Sequence, residues 1–214
     1  MMEDQQIPVK KGNGMEHRHY THKKWYKISA YSFAAIAVGC ILITVHTTRS
    51  ISQRTKDIRY AFYVASEFEQ EHIAVNPISI YKIIECATPL IDKYFTKHEF
   101  GLNDILAIGY VESCYRPETV GKAGEVGLFQ ILKPGESLTR LKKNKEYDFF
   151  DIPLNVEMCV EMLKQKYDHE KLGKHDYQST IIAYNGSYTY WPKFIRIKKI
   201  VDKASHRMNN ELNL

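Results

Sequence analysis

The chain has 214 residues, of which 44% are apolar and 26% are charged, a balance that is typical of a folded globular protein and excludes general disorder. Its formal net charge of +5 is mild and spread along the sequence, so it does not indicate the concentrated basic face of a nucleic-acid-binding protein. None of the four cysteines forms a CxxC pair, which argues against a zinc or thiol-redox motif. We therefore expect no nucleic-acid partner, no metal and no cofactor.

An apolar stretch near the N-terminus predicts a membrane anchor. Residues 28–48 contain no Asp, Glu, Lys or Arg and are just long enough for one transmembrane helix. Three lysines lie immediately before this stretch, so the positive-inside rule places residues 1–27 in the cytoplasm as a polar tail, whose three histidines we interpret as solvated. The rest of the chain would then lie beyond the cytoplasmic membrane. A cleaved signal peptide, a lipoprotein signal at Cys40 and a buried core helix are the alternative interpretations.

Two helices are predicted to follow this stretch. Apolar residues recur at helical spacing from residue 50 to about residue 71, which predicts a stalk or a first domain helix within residues 49–77. Asn76-Pro77 ends the pattern, and Ser79 is the expected cap of the second helix. Pro89 is expected to interrupt or restart that second helix, because proline lacks the backbone N–H that a helix interior needs.

Apolar stripes predict the later helices, and Asn103 is the expected cap of the first of them. These helices run from Asn103 to Glu112, from Leu154 to Tyr167, from Gln178 to Tyr184 and, as a closing amphipathic helix, from Lys193 to Arg207. No convincing alternation of apolar and polar residues predicts a strand. The fold class is therefore mainly α, with one helical domain over residues 78–214.

Glu112 is the first candidate for a catalytic residue. It ends an apolar helix and stands beside a loop that contains Gly124 and Gly127. Partial burial there would penalise the ionised carboxyl group, raise its pKa and keep it protonated as an acid near neutral pH. The position of Glu112 alone is weak support for a catalytic role, because a glutamate at a helix end is more often a solvated surface residue.

Four short motifs around Glu112 resemble those of the soluble lytic transglycosylase family, whose catalytic domain has a goose-lysozyme-like α-helical fold. Glu112-Ser113 is similar to that family's Glu-Ser motif, and Gly127-Leu128-Phe129-Gln130 is similar to its Gly-Leu-Met-Gln motif at matching spacing. Asp151 with Asn155-Val156 resembles a third motif, and Ala183-Tyr184-Asn185 resembles the family's Ala-Tyr-Asn motif. The resemblance covers roughly Asn103 to Trp191.

This resemblance implies a substrate and a reaction. Members of the family cut the β-1,4 bond between N-acetylmuramic acid (MurNAc) and N-acetylglucosamine (GlcNAc) in the peptidoglycan of bacteria. One glutamate protonates the glycosidic oxygen and then accepts the proton of the muramic acid 6-hydroxyl group, which closes a 1,6-anhydro ring. The resemblance therefore implies a peptidoglycan lyase with a single catalytic carboxyl group, held by residues 28–48 on the inner membrane with its domain on the periplasmic or extracytoplasmic side.

The resemblance also implies roles for individual residues. Glu112 is the expected acid and base, and Ser113 would orient it or hold the loop. The backbone of Gly127 would pass close to the sugar, and Gln130 would hydrogen-bond its amide or hydroxyl groups. The remaining two expected site residues are in the fourth motif: Tyr184 would bias the protonation of Glu112 or bind sugar, and Asn185 would bind substrate or stabilise the local turn.

The sequence departs from the family motifs at several positions. Gly121 stands where many members have a substrate-contacting serine, so the resemblance predicts that this contact is missing. Glu125 replaces a usual alanine, and Phe129 replaces the usual methionine. The other departures lie in the third and fourth motifs, at Ile152 and Gly186-Ser187.

Two alternative functions remain open. Glu118, Glu125 or Asp151 could serve as a second carboxylate, which would make the protein a muramidase that hydrolyses the same bond with water. The simpler interpretation makes Glu118 and Glu125 solvated and Asp151 a helix cap. The other alternative is a non-catalytic wall-binding or assembly component of a secretion, conjugation or phage system, in which case a cell-envelope-spanning assembly would be the partner.

Overall fold

A computed structural model describes residues 50–95, 99–132, 148–169 and 175–212 of the chain. The chain divides into a unit Met1–Ser52 and a compact unit Gln53–Leu214. The predicted membrane span and the cytoplasmic tail lie outside the described residues and stay predictions. Among the residues that are described, no helix combines the length and the apolar character needed to cross a membrane.

Helix α1 occupies residues 50–70 and supplies one wall of the apolar core. Its buried face consists of Tyr60, Ala61, Val64 and Phe68. The buried carboxylate of Glu67 ties α1 to the C-terminal helix, because Lys203 Nζ lies 2.6 Å and Arg207 Nη1 3.3 Å from its oxygens. Over these residues, α1 packs against the rest of the apolar core.

Helix α2 spans Pro77–Tyr94 and begins one turn earlier than the expected cap implied. Asn76 caps it by accepting a hydrogen bond from Ile78 N at 2.9 Å, and Pro77 occupies the first turn, where a backbone N–H is not needed. The prediction that Ser79 caps this helix was therefore wrong. Pro89 lies inside the continuous helix, so the predicted interruption was wrong as well.

Helix α3 spans Leu102–Ser113 and forms the centre of the domain, packed against α2 and α6. Its cap is Gly101, whose N–H donates to the Asp104 carboxylate at 2.7 Å, so Asn103 is not the cap that the sequence predicted. The helix ends because Cys114 and Tyr115 take left-handed backbone conformations with φ of 55° and 61°. The buried residues of α3 include Ile105, Leu106, Ala107 and Ile108.

A small antiparallel hairpin follows α3. Strands β1 (Glu125–Val126) and β2 (Ile131–Leu132) pair with Glu125 opposite Leu132 and Val126 opposite Ile131. Two-residue strands are too short to show alternation in sequence, which is why no strand was predicted here. The residues between the two strands belong to the Gly-Leu-Phe-Gln motif.

The last three helices agree with the predicted stripes. Helices α4 (Ile152–Asp168), α5 (Tyr177–Asn185) and α6 (Tyr190–Leu212) begin within three residues of the predicted starts and bury the expected apolar faces. Asp151 caps α4 by accepting from Leu154 N at 3.1 Å, which confirms its predicted role. The hydrogen bond from Ser113 Oγ to Leu128 O places the hairpin beside the end of α3. The mainly α fold class is thereby confirmed, apart from the hairpin.

Candidate active site

Glu112 lies in the last turn of α3, and its side chain is half-buried. The left-handed residues that follow turn the chain away from the helix axis at the end of α3. The neighbouring Ser113 and Tyr115 are buried, whereas Cys114 is exposed. This local pattern leaves Glu112 at the boundary between core and solvent, where a reacting group can meet a substrate.

The surroundings of Glu112 raise the pKa of its carboxyl group from 4.5 to about 7. Burial is the largest cause, because it penalises the ionised form. Hydrogen-bond donors on Tyr190 and Asn185 favour the ionised form and lower the pKa, whereas the negative charge of Glu125 raises it. A carboxyl group with a pKa of about 7 is present in both protonation states near neutral pH. A residue that acts first as an acid and then as a base requires both states.

Ser113 connects the end of α3 to the loop that carries the Gly-Leu-Phe-Gln motif. Its side chain is 3% exposed, and its hydroxyl donates to Leu128 O at 2.8 Å, within the Gly-Leu-Phe-Gln motif. The same hydroxyl accepts from Arg116 N at 3.2 Å. These contacts join the end of α3 to the motif loop, which agrees with the loop-holding role that the resemblance implied for Ser113.

Asn155 holds the same loop from the side of α4. Its amide nitrogen donates to Val126 O at 3.2 Å and to Phe149 O at 3.0 Å, and its amide oxygen accepts from Phe129 N at 2.8 Å. The side chain is 1% exposed, so these three bonds satisfy a buried amide. Asn155 belongs to the third motif, and these contacts show that it positions the loop.

Gly127 is buried, and its backbone conformation suits glycine, with φ of 83°. A Cβ atom there would lie 2.4 Å from Asn155 Nδ2 and 2.8 Å from Phe149 O. The space beside Gly127 is therefore filled by the protein. The sequence led us to expect a sugar in that space, and the observed reason for glycine is a contact with Asn155.

Gln130 presents its amide at the hairpin. The amide nitrogen donates to Thr119 O at 3.1 Å and to Gly127 O at 2.9 Å, which orients the amide oxygen toward Gly121. The residue is half-buried, so its oxygen remains available to a ligand. This geometry is compatible with the sugar-binding role that the resemblance implied.

Both residues of the fourth motif lie near Glu112. Tyr184 is 9% exposed, and its hydroxyl donates to Phe129 O at 3.1 Å, which again supports the motif loop. Burial is the largest cause of the raised pKa of Tyr184, followed by Cys159 and the charge of Glu112, so Tyr184 and Glu112 are close. Asn185 is exposed at the end of α5, and its side chain acts as a hydrogen-bond donor that lowers the pKa of the Glu112 carboxyl group.

Tyr190 is a site residue that the sequence analysis missed. It begins α6, is 4% exposed, and directs its hydroxyl group at Glu112. The hydroxyl has no partner with ordinary hydrogen-bond geometry among the described residues, so the approach to Glu112 is looser than a standard bond. The one signal in the sequence was an aromatic cluster, Tyr188, Tyr190 and Trp191, directly after the Ala-Tyr-Asn motif.

Of the three carboxylates considered as a second catalytic group, Glu125 alone contributes to the raised pKa of Glu112. Glu118 is exposed on the loop before the hairpin, and Asp151 caps α4. Among the described residues, no group of His, Cys, Asp or Glu has an arrangement that could hold a metal ion. The described cysteines, Cys86, Cys114 and Cys159, are free thiols.

Comparison with family models shows which protein family the chain belongs to. The model described as the transglycosylase SLT domain matches residues 89–204, more than half of the chain. The chain belongs to the transglycosylase SLT domain family. Comparisons with curated proteins and with solved structures gave no match.

Membership of the SLT family confirms the resemblance on which the sequence analysis relied, and it indicates a transglycosylase-type activity on peptidoglycan. The matched residues contain α3, the hairpin, α4, α5 and most of α6, and therefore every residue placed around Glu112. The site of this SLT domain thus consists of one carboxyl group with a raised pKa, two side-chain donors facing it and a loop held by buried hydrogen bonds.

Tyr190 provides a test of this arrangement. In Tyr190→Phe, we expect the descending, alkaline limb of the pH–rate profile to move to higher pH, because loss of a donor destabilises the ionised carboxylate and raises the pKa of Glu112 further. The measurement is the release of soluble products from peptidoglycan over a series of pH values.

The matched control for this test is Tyr188→Phe. Tyr188 lies on the turn just before α6 and is 84% exposed, so the loss of its hydroxyl should leave the profile in place. A Tyr190→Phe profile that coincides with the control, or that moves to lower pH, would contradict the assigned interaction with Glu112.

Proposed function

We propose that this protein is a membrane-anchored lytic transglycosylase that cleaves the β-1,4 bond between MurNAc and GlcNAc in peptidoglycan. Glu112 is the only catalytic carboxyl group, and the products carry 1,6-anhydromuramic ends. The observation that carries the proposal is the half-buried Glu112 with a pKa of about 7, faced by the donors of Tyr190 and Asn185.

The proposed reaction uses Glu112 twice. Its protonated carboxyl group first donates a proton to the glycosidic oxygen, so that the bond from C1 of MurNAc to this oxygen breaks and GlcNAc leaves with a free hydroxyl group. The resulting carboxylate then accepts the proton of the MurNAc 6-hydroxyl group, whose oxygen bonds to C1. No water is consumed, and Glu112 ends in its starting protonation state. A pKa near neutrality supports both halves of this cycle.

The neighbours of Glu112 suit the charge changes of this cycle. When the carboxyl group loses its proton, the donors on Tyr190 and Asn185 stabilise the negative charge. Ser113, Asn155 and Tyr184 hold the backbone of the motif loop and thereby position Gln130 for the sugar. The chain thus uses most of its motif residues for positioning and few for direct contact.

A muramidase is the second candidate function, and one observation favours it. Glu125 is a half-buried carboxylate close enough to Glu112 to raise its pKa. In a hydrolysing enzyme, such a second carboxylate would accept a proton from water as the water oxygen attacks C1. We rank it second because the family model that matches the chain is described as a transglycosylase domain.

The proposed location follows from the sequence. Residues 28–48 would anchor the chain in the bacterial inner membrane, and the basic residues before them would keep the N-terminus in the cytoplasm. The SLT domain would then face the periplasmic or extracytoplasmic peptidoglycan. Protease treatment of intact spheroplasts tests this orientation, since an outward domain would be digested and an inward one protected.

Product analysis tests the reaction. The full-length chain is incubated with purified peptidoglycan in oxygen-isotope-labelled water, and the soluble fragments are analysed by mass spectrometry. We expect unlabelled fragments that end in anhydromuramic acid. Labelled, reducing muramic ends would establish the muramidase instead. Binding to peptidoglycan without any product would support the non-catalytic wall-binding alternative.

A further inference from the structure

Gly121 lies at the start of the hairpin, beneath two side-chain oxygen atoms. A Cβ atom at this position would lie 2.3 Å from Glu125 Oε2 and 2.6 Å from Gln130 Oε1. Unlike Gly124 and Gly127, Gly121 does not have a positive φ, so its backbone does not require glycine. The oxygens of Glu125 and Gln130 occupy the volume that a side chain at position 121 would fill, so a larger residue there would displace them.

Backbone contacts hold both oxygens in place. Glu125 Oε2 accepts from Ala123 N at 2.9 Å, and the Glu125 main chain accepts from Gly121 N at 2.7 Å. Both N–H donors of the Gln130 amide are directed at main-chain oxygens, at 3.1 and 2.9 Å, which leaves its Oε1 to face Gly121. A carboxylate oxygen and an amide oxygen each accept two hydrogen bonds, so both atoms keep capacity for a ligand.

This pair of acceptors belongs to the surroundings of Glu112. The charge of Glu125 acts on Glu112, and Gln130 directly follows Phe129, whose carbonyl oxygen is held by Tyr184. Glu125 and Gln130 are both half-buried, so a bound sugar can reach them while part of the surrounding water is excluded. Hydrogen bonds from a sugar to a partly desolvated carboxylate are among the stronger polar contacts.

We propose that Glu125 is a substrate-binding residue of this SLT domain. Its carboxylate and Gln130 Oε1 form one pair of acceptors above Gly121, and the pair binds O–H and N–H donors of the amino sugar that lies beside Glu112. This inference rests on the proposed function and adds a specificity residue to it. The absence of a side chain at Gly121 predicted a missing substrate contact, and Glu125 supplies a contact in its place.

The competing explanation is that Glu125 only caps the turn through Ala123 N. The two explanations predict different effects of truncating the Glu125 side chain. Loss of a turn cap lowers the stability of the fold without changing the affinity for glycan, whereas loss of a ligand acceptor lowers the affinity. Affinity and unfolding temperature are therefore measured on the same variants.

The experiment uses the full-length chain carrying Glu112→Gln, which binds without cleaving, and a soluble GlcNAc–MurNAc tetrasaccharide as the ligand in isothermal titration calorimetry. Addition of Glu125→Ala is expected to weaken binding about tenfold, because one hydrogen bond to a charged group is lost. The matched control, Glu118→Ala, removes an exposed carboxylate from the neighbouring loop and should leave the affinity unchanged.

A second variant tests the geometry. Gly121→Ala places a methyl group against both oxygens, so it should weaken binding at least as much as Glu125→Ala does. The double variant Gly121→Ala/Glu125→Ala should lose much less binding free energy than the sum of the losses in the two single variants, because both changes remove the same contact. Independent, additive losses would contradict the shared site.

The outcomes separate this inference from the proposed function. If the wild-type chain cleaves peptidoglycan but Glu125→Ala binds the tetrasaccharide as tightly as its parent, only this inference fails, and a lowered unfolding temperature would then identify Glu125 as a turn cap. If the wild-type chain does not cleave and Glu112→Gln does not bind, the proposed function fails and this inference fails with it.

Discussion

Glu112→Gln will lower the rate of peptidoglycan cleavage by about three orders of magnitude, because the amide can neither donate the proton to the glycosidic oxygen nor accept one from the 6-hydroxyl group. A positioned acid or base contributes about 10²–10⁴-fold to a rate, and here one residue serves in both steps. The substitution preserves the size of the side chain, so the site should still bind glycan. Turnover of peptidoglycan at neutral pH is the measurement.

The same variant should be more stable than the wild-type chain at alkaline pH. The folded-state pKa of Glu112 is about 7, above the ordinary 4.5, so ionisation of the folded protein becomes costly as the pH rises above about 4.5. The penalty grows until the pH passes about 7 and then stays constant. Because Gln carries no charge, we expect Glu112→Gln to gain about 1–3 kcal/mol in the free energy of unfolding above that pH.

Glu118→Gln is the control for both measurements. Glu118 is an exposed carboxylate of the adjacent loop, so its neutralisation should change neither turnover nor the pH dependence of unfolding. Normal cleavage by Glu112→Gln would rule out Glu112 as the catalytic acid. Loss of cleavage together with a loss of stability would mean that the variant has damaged the fold instead.

The sequence predicted the helices well wherever a helix buries one continuous apolar face. Helix α4 shows this, since Val156, Cys159, Val160 and Leu163 were expected to face inward and all are buried. Helix ends were predicted less well. At α3 the bond that caps the helix runs from Gly101 N to Asp104, and a glycine cap carries no side-chain signal that distinguishes it from Asn103.

The sequence motifs located the candidate site, but they did not predict which side chains contact one another within it. Glu112 was found from its motif, and its half-buried position supports the expected rise in its pKa. Tyr190 was missed because it approaches Glu112 from the start of α6, outside every motif. The contact between Gly121 and Glu125 was missed for a related reason: both departures were seen, but only the hairpin brings the two residues together.

The motif glycine Gly127 illustrates the same limit, and it leads to the prediction with the largest expected effect on stability. Its positive φ could be read from the sequence as a turn requirement, but the contact that fills the space beside it could not. Asn155 comes from α4, 28 positions further along the chain. The structure therefore changes the expected consequence of a substitution from a blocked sugar to a disrupted loop.

Gly127→Ala is expected to lower the free energy of unfolding by about 3–5 kcal/mol. Alanine in a left-handed conformation costs about 1 kcal/mol. Its Cβ would also lie 2.4 Å from Asn155 Nδ2, and displacement of that amide breaks bonds to Val126 O, Phe149 O and Phe129 N. Buried groups left without partners cost about 1–3 kcal/mol each, although the loop will relax in part. Urea denaturation measures the loss, and cleavage should fall with it because the loop carries Gln130.

Gly124→Ala is the matched control for this loop. Gly124 has a similar φ of 90°, but no atom lies within 4 Å of a Cβ built there. The control therefore carries the conformational cost of about 1 kcal/mol alone and should keep most of the cleavage activity. Equal losses for the two variants would show that backbone conformation explains both glycines. A larger loss for Gly127→Ala than for Gly124→Ala, together with a smaller effect of Gly127→Ala when Asn155→Ala is already present, would establish that the contact with Asn155 fixes the motif loop beside Glu112.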